Sequence, residues 1–330
     1  MGPGLSRPCL PMSQRLPGPA SPSQSGSPVT GALLICGAAI LWGVDGVVLT
    51  PRLSGLPVLL VVLLLHAVPF LLMQPFLHGA YGAVRRLDLR GQVTLLLVAL
   101  SGGMVGTLAI VKALFLTHFD RLSVVVLLQK LQPVFAILLA ALLLGERLTP
   151  RFLVWAAVAL AGAYTLTFGL GPPNIAHSPA HLEATLWALL AAAAFGSATV
   201  LGKRLLGYLD FKQATFARYG VTSLLALAAL VASGTDPHLG SVTGGQWGLI
   251  LLIGLTAGSG AIFAYYHGLN RIRASVATIC ELCLPLSAVV LDYLVNDSVL
   301  APWQWVGAAL LILAITRVTL GGRAPVQRSP

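Results

Sequence analysis

The chain has 330 residues, of which 57% are hydrophobic and 9% charged. Ordinary soluble domains carry about a quarter charged residues, so water is excluded as the solvent for most of this surface and a bilayer takes its place. The net charge of +10 does not point to nucleic acid, because the basic residues form no patch interleaved with exposed aromatics and gather at the ends of apolar runs.

Residues 1–28, rich in Pro, Ser and Gly and carrying Arg7 and Arg15, read as a disordered tail. Ten apolar runs follow, at 31–49, 56–77, 93–116, 122–144, 152–168, 184–206, 214–231, 247–266, 274–295 and 303–320. About 20 apolar residues cross the hydrocarbon core at 1.5 Å per residue, so each run is expected to be a transmembrane helix. The first is too long for a signal-peptide core and lacks a convincing small-residue cleavage site, so it counts as a span. Residues 321–330 form a short tail. The expected fold class is therefore an all-α integral membrane protein with ten transmembrane helices.

Basic residues orient these spans. Fifteen of the 20 Lys and Arg fall on the N-terminal side, among them Arg85, Arg86, Arg90, Arg147, Arg151, Lys203 and Arg204. Arg52 and Arg121 lie opposite, and Lys112, Lys130 and Arg218 fall inside spans. The positive-inside rule then places both termini in the cytoplasm of a multi-pass protein of the cell (inner or plasma) membrane. One span missed or invented would move every later loop across the membrane and destroy the asymmetry.

An offset of 152 residues lays Pro133 on Pro285 and Pro150 on Pro302, and nine of 25 positions from Pro133 to Ala157 are then identical, where this composition gives about three by chance. At 153, Trp42-Gly43 falls on Phe195-Gly196. The chain reads as two five-helix halves, 29–170 and 181–320. An odd number of helices per half inserts the second upside down, giving the inverted repeat of many secondary transporters and implying alternating access to a central site.

Ala39-Ile40-Leu41-Trp42-Gly43, Gln132-Pro133-Val134-Phe135-Ala136 and Leu144-Gly145-Glu146-Arg147-Leu148, followed by a short fifth span, resemble the EamA-like members of the drug/metabolite transporter superfamily. The resemblance covers residues 31–320 in two copies. It implies a ten-helix bundle, cytoplasmic termini and movement of a small metabolite. In the second copy Asn296-Asp297-Ser298-Val299-Leu300 replaces the Gly-Glu-Arg element, so Glu146 and Arg147 read as solvated charges at a helix end.

Polar residues inside spans mark candidate sites, since each is costly in hydrocarbon. Pro133 and Pro285 interrupt their helices near mid-depth and release the carbonyls of Gln129 and Glu281, and paired interruptions in two halves point to a transporter's binding site. Glu281, about 10 Å from the nearer membrane face, is the leading candidate for a proton-coupling or substrate group. Lys130 beside Gln129 and Gln132, Asp45, Lys112 and Trp42 complete the expected set, in a cavity lined by spans one, three, four, eight and nine. Asp45 and Lys112 have similar depth and read as a contact, as do Glu281 and Lys130. Asp292 and Arg218 lie near span ends, where snorkelling suffices; His66 and His267 read as structural.

The Cys280-Glu281-Leu282-Cys283 segment is half of a zinc motif without a second half, so no metal and no cofactor is expected. An intramembrane enzyme is disfavoured: Gly258-Ser259-Gly260 lacks the spacing of a serine-nucleophile elbow, and no paired metal-binding motif occurs in any span. A channel would differ in conducting without saturation. The expected partners are a small-molecule substrate and the lipid bilayer.

Overall fold

The computed structural model describes residues 27–116, 128–171, 179–234, 239–296 and 301–321. Nearly all of the two expected tails, Arg121, the start of the 122–144 run and residues 297–300 lie outside them. Among the described residues every regular element is helical. Hydrocarbon offers the backbone no water to bond, and an apolar segment escapes that cost by bonding to itself as a helix.

The principal helices are α1 (Pro28–Val44), α2 (Val58–Leu77), the short α3 (Ala80–Arg85), α4 (Leu89–Leu116), α5 (Gln132–Leu144), α6 (Pro150–Phe168), α7 (Pro179–Leu205), α8 (Phe211–Ala232), α9 (Gly244–Leu269), α10 (Ala274–Cys280), α11 (Cys283–Asn296) and α12 (Pro302–Gly321). Eight described stretches are long and apolar enough to cross a membrane, with α10 and α11 together supplying one of them. The first and fourth expected runs correspond to the shorter apolar helices α1 and α5. Local geometry accounts for their length: α1 passes into a π-helical turn at Asp45–Leu49, and α5 starts after a turn at residues 130–131. A matching turn at residues 281–282 divides α10 from α11.

Helix α6 packs along α12, and α2 along α8. Helix α1 lies against α9 and α11, while α7 lies against α4 and α5. The α6–α12 contact is close because its centre is glycine: a Cβ on Gly307 would stand 2.8 Å from the carbonyl oxygen of Gly162. Small residues serve this purpose in membranes, where helices gain little by hiding apolar surface from equally apolar lipid. Much of the interior is alanine, including Ala38, Ala39, Ala109, Ala188, Ala191 and Ala192, whereas Leu33, Leu71, Phe76, Leu142, Leu224 and Val231 face outward.

Two long helices carry π-helical segments, Ala99–Val105 in α4 and Gly254–Gly258 in α9. A π turn widens the helix by one residue and frees backbone groups, and such turns concentrate at functional sites. Here a hydroxyl five residues on answers each freed carbonyl: Thr107 Oγ1 donates to the Gly102 oxygen at 3.3 Å, and Ser259 Oγ to the Gly254 oxygen at 2.7 Å. Thr107 and Ser259, like Gly102 and Gly254, stand 152 residues apart.

Candidate functional site

A cavity of about 240 Å³ opens among these helices. Its lining mixes broad apolar walls with a few polar groups, the composition of small-molecule sites. Trp42, Asp45, Gln129, Lys130, Pro133 and Glu281 border it, so most of the sequence-derived set comes together in space. The walls are wider than the five expected spans: His66 of α2, Phe195 and Thr199 of α7, and Arg218 and Tyr219 of α8 also face it.

At one wall the indole of Trp42 meets the ring of Tyr265, centroids 5.4 Å apart and planes inclined by 53°. The Trp42 N–H donates to the Ala257 carbonyl at 2.9 Å, beside the π turn of α9. This bond fixes the indole and leaves aromatic surface to the cavity, where a flat ligand gains from offset stacking. Tyr265 Oη in turn donates to Glu281 Oε1 at 2.8 Å.

Glu281 sits in the turn between α10 and α11. Besides Tyr265 it accepts from Thr199 Oγ1 at 3.2 Å and from Gln132 Nε2. Three neutral donors therefore hold the carboxyl, drawn from α5, α7 and α9, and no salt bridge to Lys130 forms among the described residues. Its backbone carbonyl is not orphaned by Pro285, because Leu284 N donates to it at 3.1 Å. Lys130, in the matching turn, is 6% exposed.

Asp45 accepts from Thr50 Oγ1 at 2.8 Å across its π-helical turn. The expected contact with Lys112 is not made in this conformation. Lys112 instead bridges to Glu183 at 3.1 Å and covers the ring of Trp187 at 4.5 Å, and it is absent from the cavity lining. Pro285 likewise stays out of the lining although it is buried.

Sequence reasoning misplaced Arg218. It lies seven residues into α8, is 8% exposed and lines the cavity rather than snorkelling to a membrane face. The signal was present: Glu281 also lies seven residues into its helix, and that depth singled it out. Setting the start of the seventh span at residue 214 instead of Phe211 hid the parallel. Thr199 and Tyr265 carried no such signal, since hydroxyls are common in these spans and many bond back to their own helix.

Glu146 departs from expectation too. It is not a solvated charge, because its carboxylate accepts from the backbone N–H groups of Ala274 at 2.7 Å and Ser275 at 3.1 Å, and from the Ser275 hydroxyl. The free amides of a helix start are natural partners for an anion.

The chain matches the EamA-like transporter family over residues 29–168 and again over 182–320. It is 47% identical over 293 residues, 88% of this chain and 98% of the relative, to the riboflavin transporter ImpX of Fusobacterium nucleatum. A probable terminal-alkyne amino-acid exporter of Streptantibioticus cattleyicolor is 29% identical over 60% of this chain and 65% of its own. A solved crystal structure superposes with a TM-score of 0.70 at 19% identity, covering 89% of this chain and 98% of the other, a likeness of fold.

Proposed function

The chain belongs to the EamA-like transporter family, a multi-pass membrane transporter of a small molecule and not an enzyme, and on that footing we propose that its substrate is riboflavin or a close flavin analogue. The observation that carries this reading is the 47% identity sustained over nearly the whole length of a riboflavin transporter. The cavity is consistent with it: an aromatic wall at Trp42 and Tyr265 suits a flat ring system, and the polar groups at Glu281, Gln132, Gln129 and Lys130 suit hydroxyl and carbonyl substituents.

Transport proceeds, in this reading, by alternating access between two inverted five-helix halves, 29–170 and 181–320, in a ten-span protein of the cell membrane with both termini in the cytoplasm. Supporting this are the twofold match to one family and a packing pattern unchanged when each span is exchanged for the one five places on: α6 with α12 and α2 with α8 pair with each other, and the neighbours of α1 become those of α7. The paired π turns and paired helix breaks follow the same exchange. Broken helices at mid-depth are where transporters of this type bind their cargo.

Glu281 is the group proposed to couple substrate movement to protons, with Gln129, Lys130, Asp45 and Trp42 bordering the path and Lys112 acting at its pairing with Glu183. Uptake of riboflavin by vesicles reconstituted with the purified protein tests the substrate. Saturable uptake above empty vesicles supports it, non-saturating conduction favours a channel, and no uptake or exchange in either pH gradient overturns it.

A further inference from the structure

Arg218 is a buried cation with no carboxylate partner among the described residues. Its polar contact within α8–α9 is Nη1 to Tyr266 Oη at 3.3 Å, with the Tyr266 ring 5.8 Å away. Burying a guanidinium is costly unless its donors are used, and Arg218 presents five of them. Space has been kept for it: a Cβ on Gly102, in the π segment of α4, would stand 2.9 Å from Arg218 Nη2. The guanidinium is thus seated against one glycine and one tyrosine, with donors left over at a cavity wall.

His66 stands 152 residues before Arg218, on α2, the helix paired with α8. It also lines the cavity, is 7% exposed, and stacks on Tyr219 with centroids 5.3 Å apart. Its Nδ1 lies 2.8 Å from the Val62 carbonyl oxygen. A carbonyl only accepts, so Nδ1 carries the proton and Nε2 of the neutral ring is an acceptor. One wall of the cavity therefore carries a strong donor in Arg218 and an acceptor in His66 Nε2.

We infer that Arg218 and His66 form a recognition subsite for an imide-type edge, a carbonyl–N–H–carbonyl array, with Arg218 donating to a carbonyl oxygen and His66 Nε2 accepting from the N–H. This deepens the flavin reading and rests on it for the choice of probe, since the flavin ring ends in such an edge. The ring system then lies with its polar edge on α2 and α8 and its remaining surface toward Trp42 and Tyr265. Both residues determine specificity by touching substrate.

The test is equilibrium binding to the purified protein, read by flavin fluorescence, with riboflavin, 3-methylriboflavin, in which the N–H is blocked, and lumichrome, which keeps an imide edge without the sugar-like chain. Expected are at least tenfold weaker riboflavin binding by Arg218→Met, substantial recovery in Arg218→Lys, and in wild type a preference of about tenfold for riboflavin over its 3-methyl derivative. His66→Phe keeps the ring stack and is expected to lose that preference. Thermal melts of each variant establish that it is folded. Wild-type affinity in folded Arg218→Met, or an undiminished preference in His66→Phe, overturns the inference. Lumichrome bound with the same Arg218 dependence while riboflavin is not bound overturns the riboflavin reading and upholds this one; binding of neither compound overturns both.

Discussion

The carboxylate of Glu146, just past the end of α5, caps α10, the helix that leads into the Glu281 turn, accepting from the Ser275 amide at 3.1 Å and from the Ser275 hydroxyl. Arg273 adds a bond from Nη1 to the Arg147 carbonyl at 3.2 Å. The first and second halves of the chain are thereby joined at the start of α10, seven residues before Glu281. Charge-assisted bonds of this kind are worth about 1.5–3 kcal/mol each. Glu146→Ala is expected to lower the melting temperature of the purified protein by several degrees and to raise the reactivity of a cysteine placed at Thr278. Unchanged melting together with unchanged reactivity would show that the cap holds nothing.

The α6–α12 seam makes a sharper test of packing. Gly307→Ala is expected to destabilise by about 1–3 kcal/mol, because the new methyl meets the Gly162 oxygen and the backbone of Leu166, and overpacked cores cost that much. Gly37→Ala meets nothing within 4 Å and is expected to melt at or slightly above wild type, helix propensity favouring alanine. Equal melting of the two variants would remove the seam from the account.

Trp42 contributes both a ring and a bond. Trp42→Phe keeps a ring but loses the donor to the Ala257 carbonyl, so a loss of up to about fivefold in riboflavin affinity is expected from a bond worth about 1 kcal/mol. Trp42→Ala should lose about tenfold or more with the stacking surface gone. Flavin titration of both variants decides whether this wall touches substrate.

Glu281→Gln replaces an ionisable acceptor with a neutral one that still fits beside Gln132, Thr199 and Tyr265. Accumulation of riboflavin driven by an imposed pH gradient is expected to fall to background while exchange of external for internal riboflavin continues. Retention of gradient-driven accumulation would leave the carboxyl as a structural hub of three bonds. Loss of exchange as well would assign it to substrate binding alone.

The connection from residue 79 to 91 holds Arg85, Arg86 and Arg90 and contains α3. A single cysteine introduced at Gly82, which has open space around it, is expected to resist impermeant maleimide in intact cells and to react once the membrane is permeabilised. Labelling in intact cells would reverse the proposed orientation.

Helices announce themselves in such a sequence because hydrocarbon permits little else, and the apolar runs therefore marked most helices to within a few residues. What the runs could not convey was interruption. The π turns at Ala99 and Gly254 arise from a one-residue shift in backbone bonding that leaves hydropathy untouched. Depth along a span could be counted, which found Glu281, Lys130 and Asp45, but rotation about the helix axis could not. That ambiguity is why Lys112, directly after the lining residues Ile110 and Val111, proved to point to Glu183. It is also why His66 passed as bland. Partners from other helices, such as Thr199 and Tyr265 on the Glu281 carboxyl, follow from packing alone.

The alanine-rich interior and leucine-rich exterior also bear on handling the protein outside a membrane. Lipid is as apolar as the buried leucines and alanines, so cohesion depends on backbones held close and on an outer layer thick enough to keep water from their hydrogen bonds. Short-chain detergents, which cover the leucine belt thinly, should let the helices drift apart long before any of them uncoils. Spectroscopic helicity will then overstate how much working protein a preparation contains, and flavin binding is the better gauge of its quality.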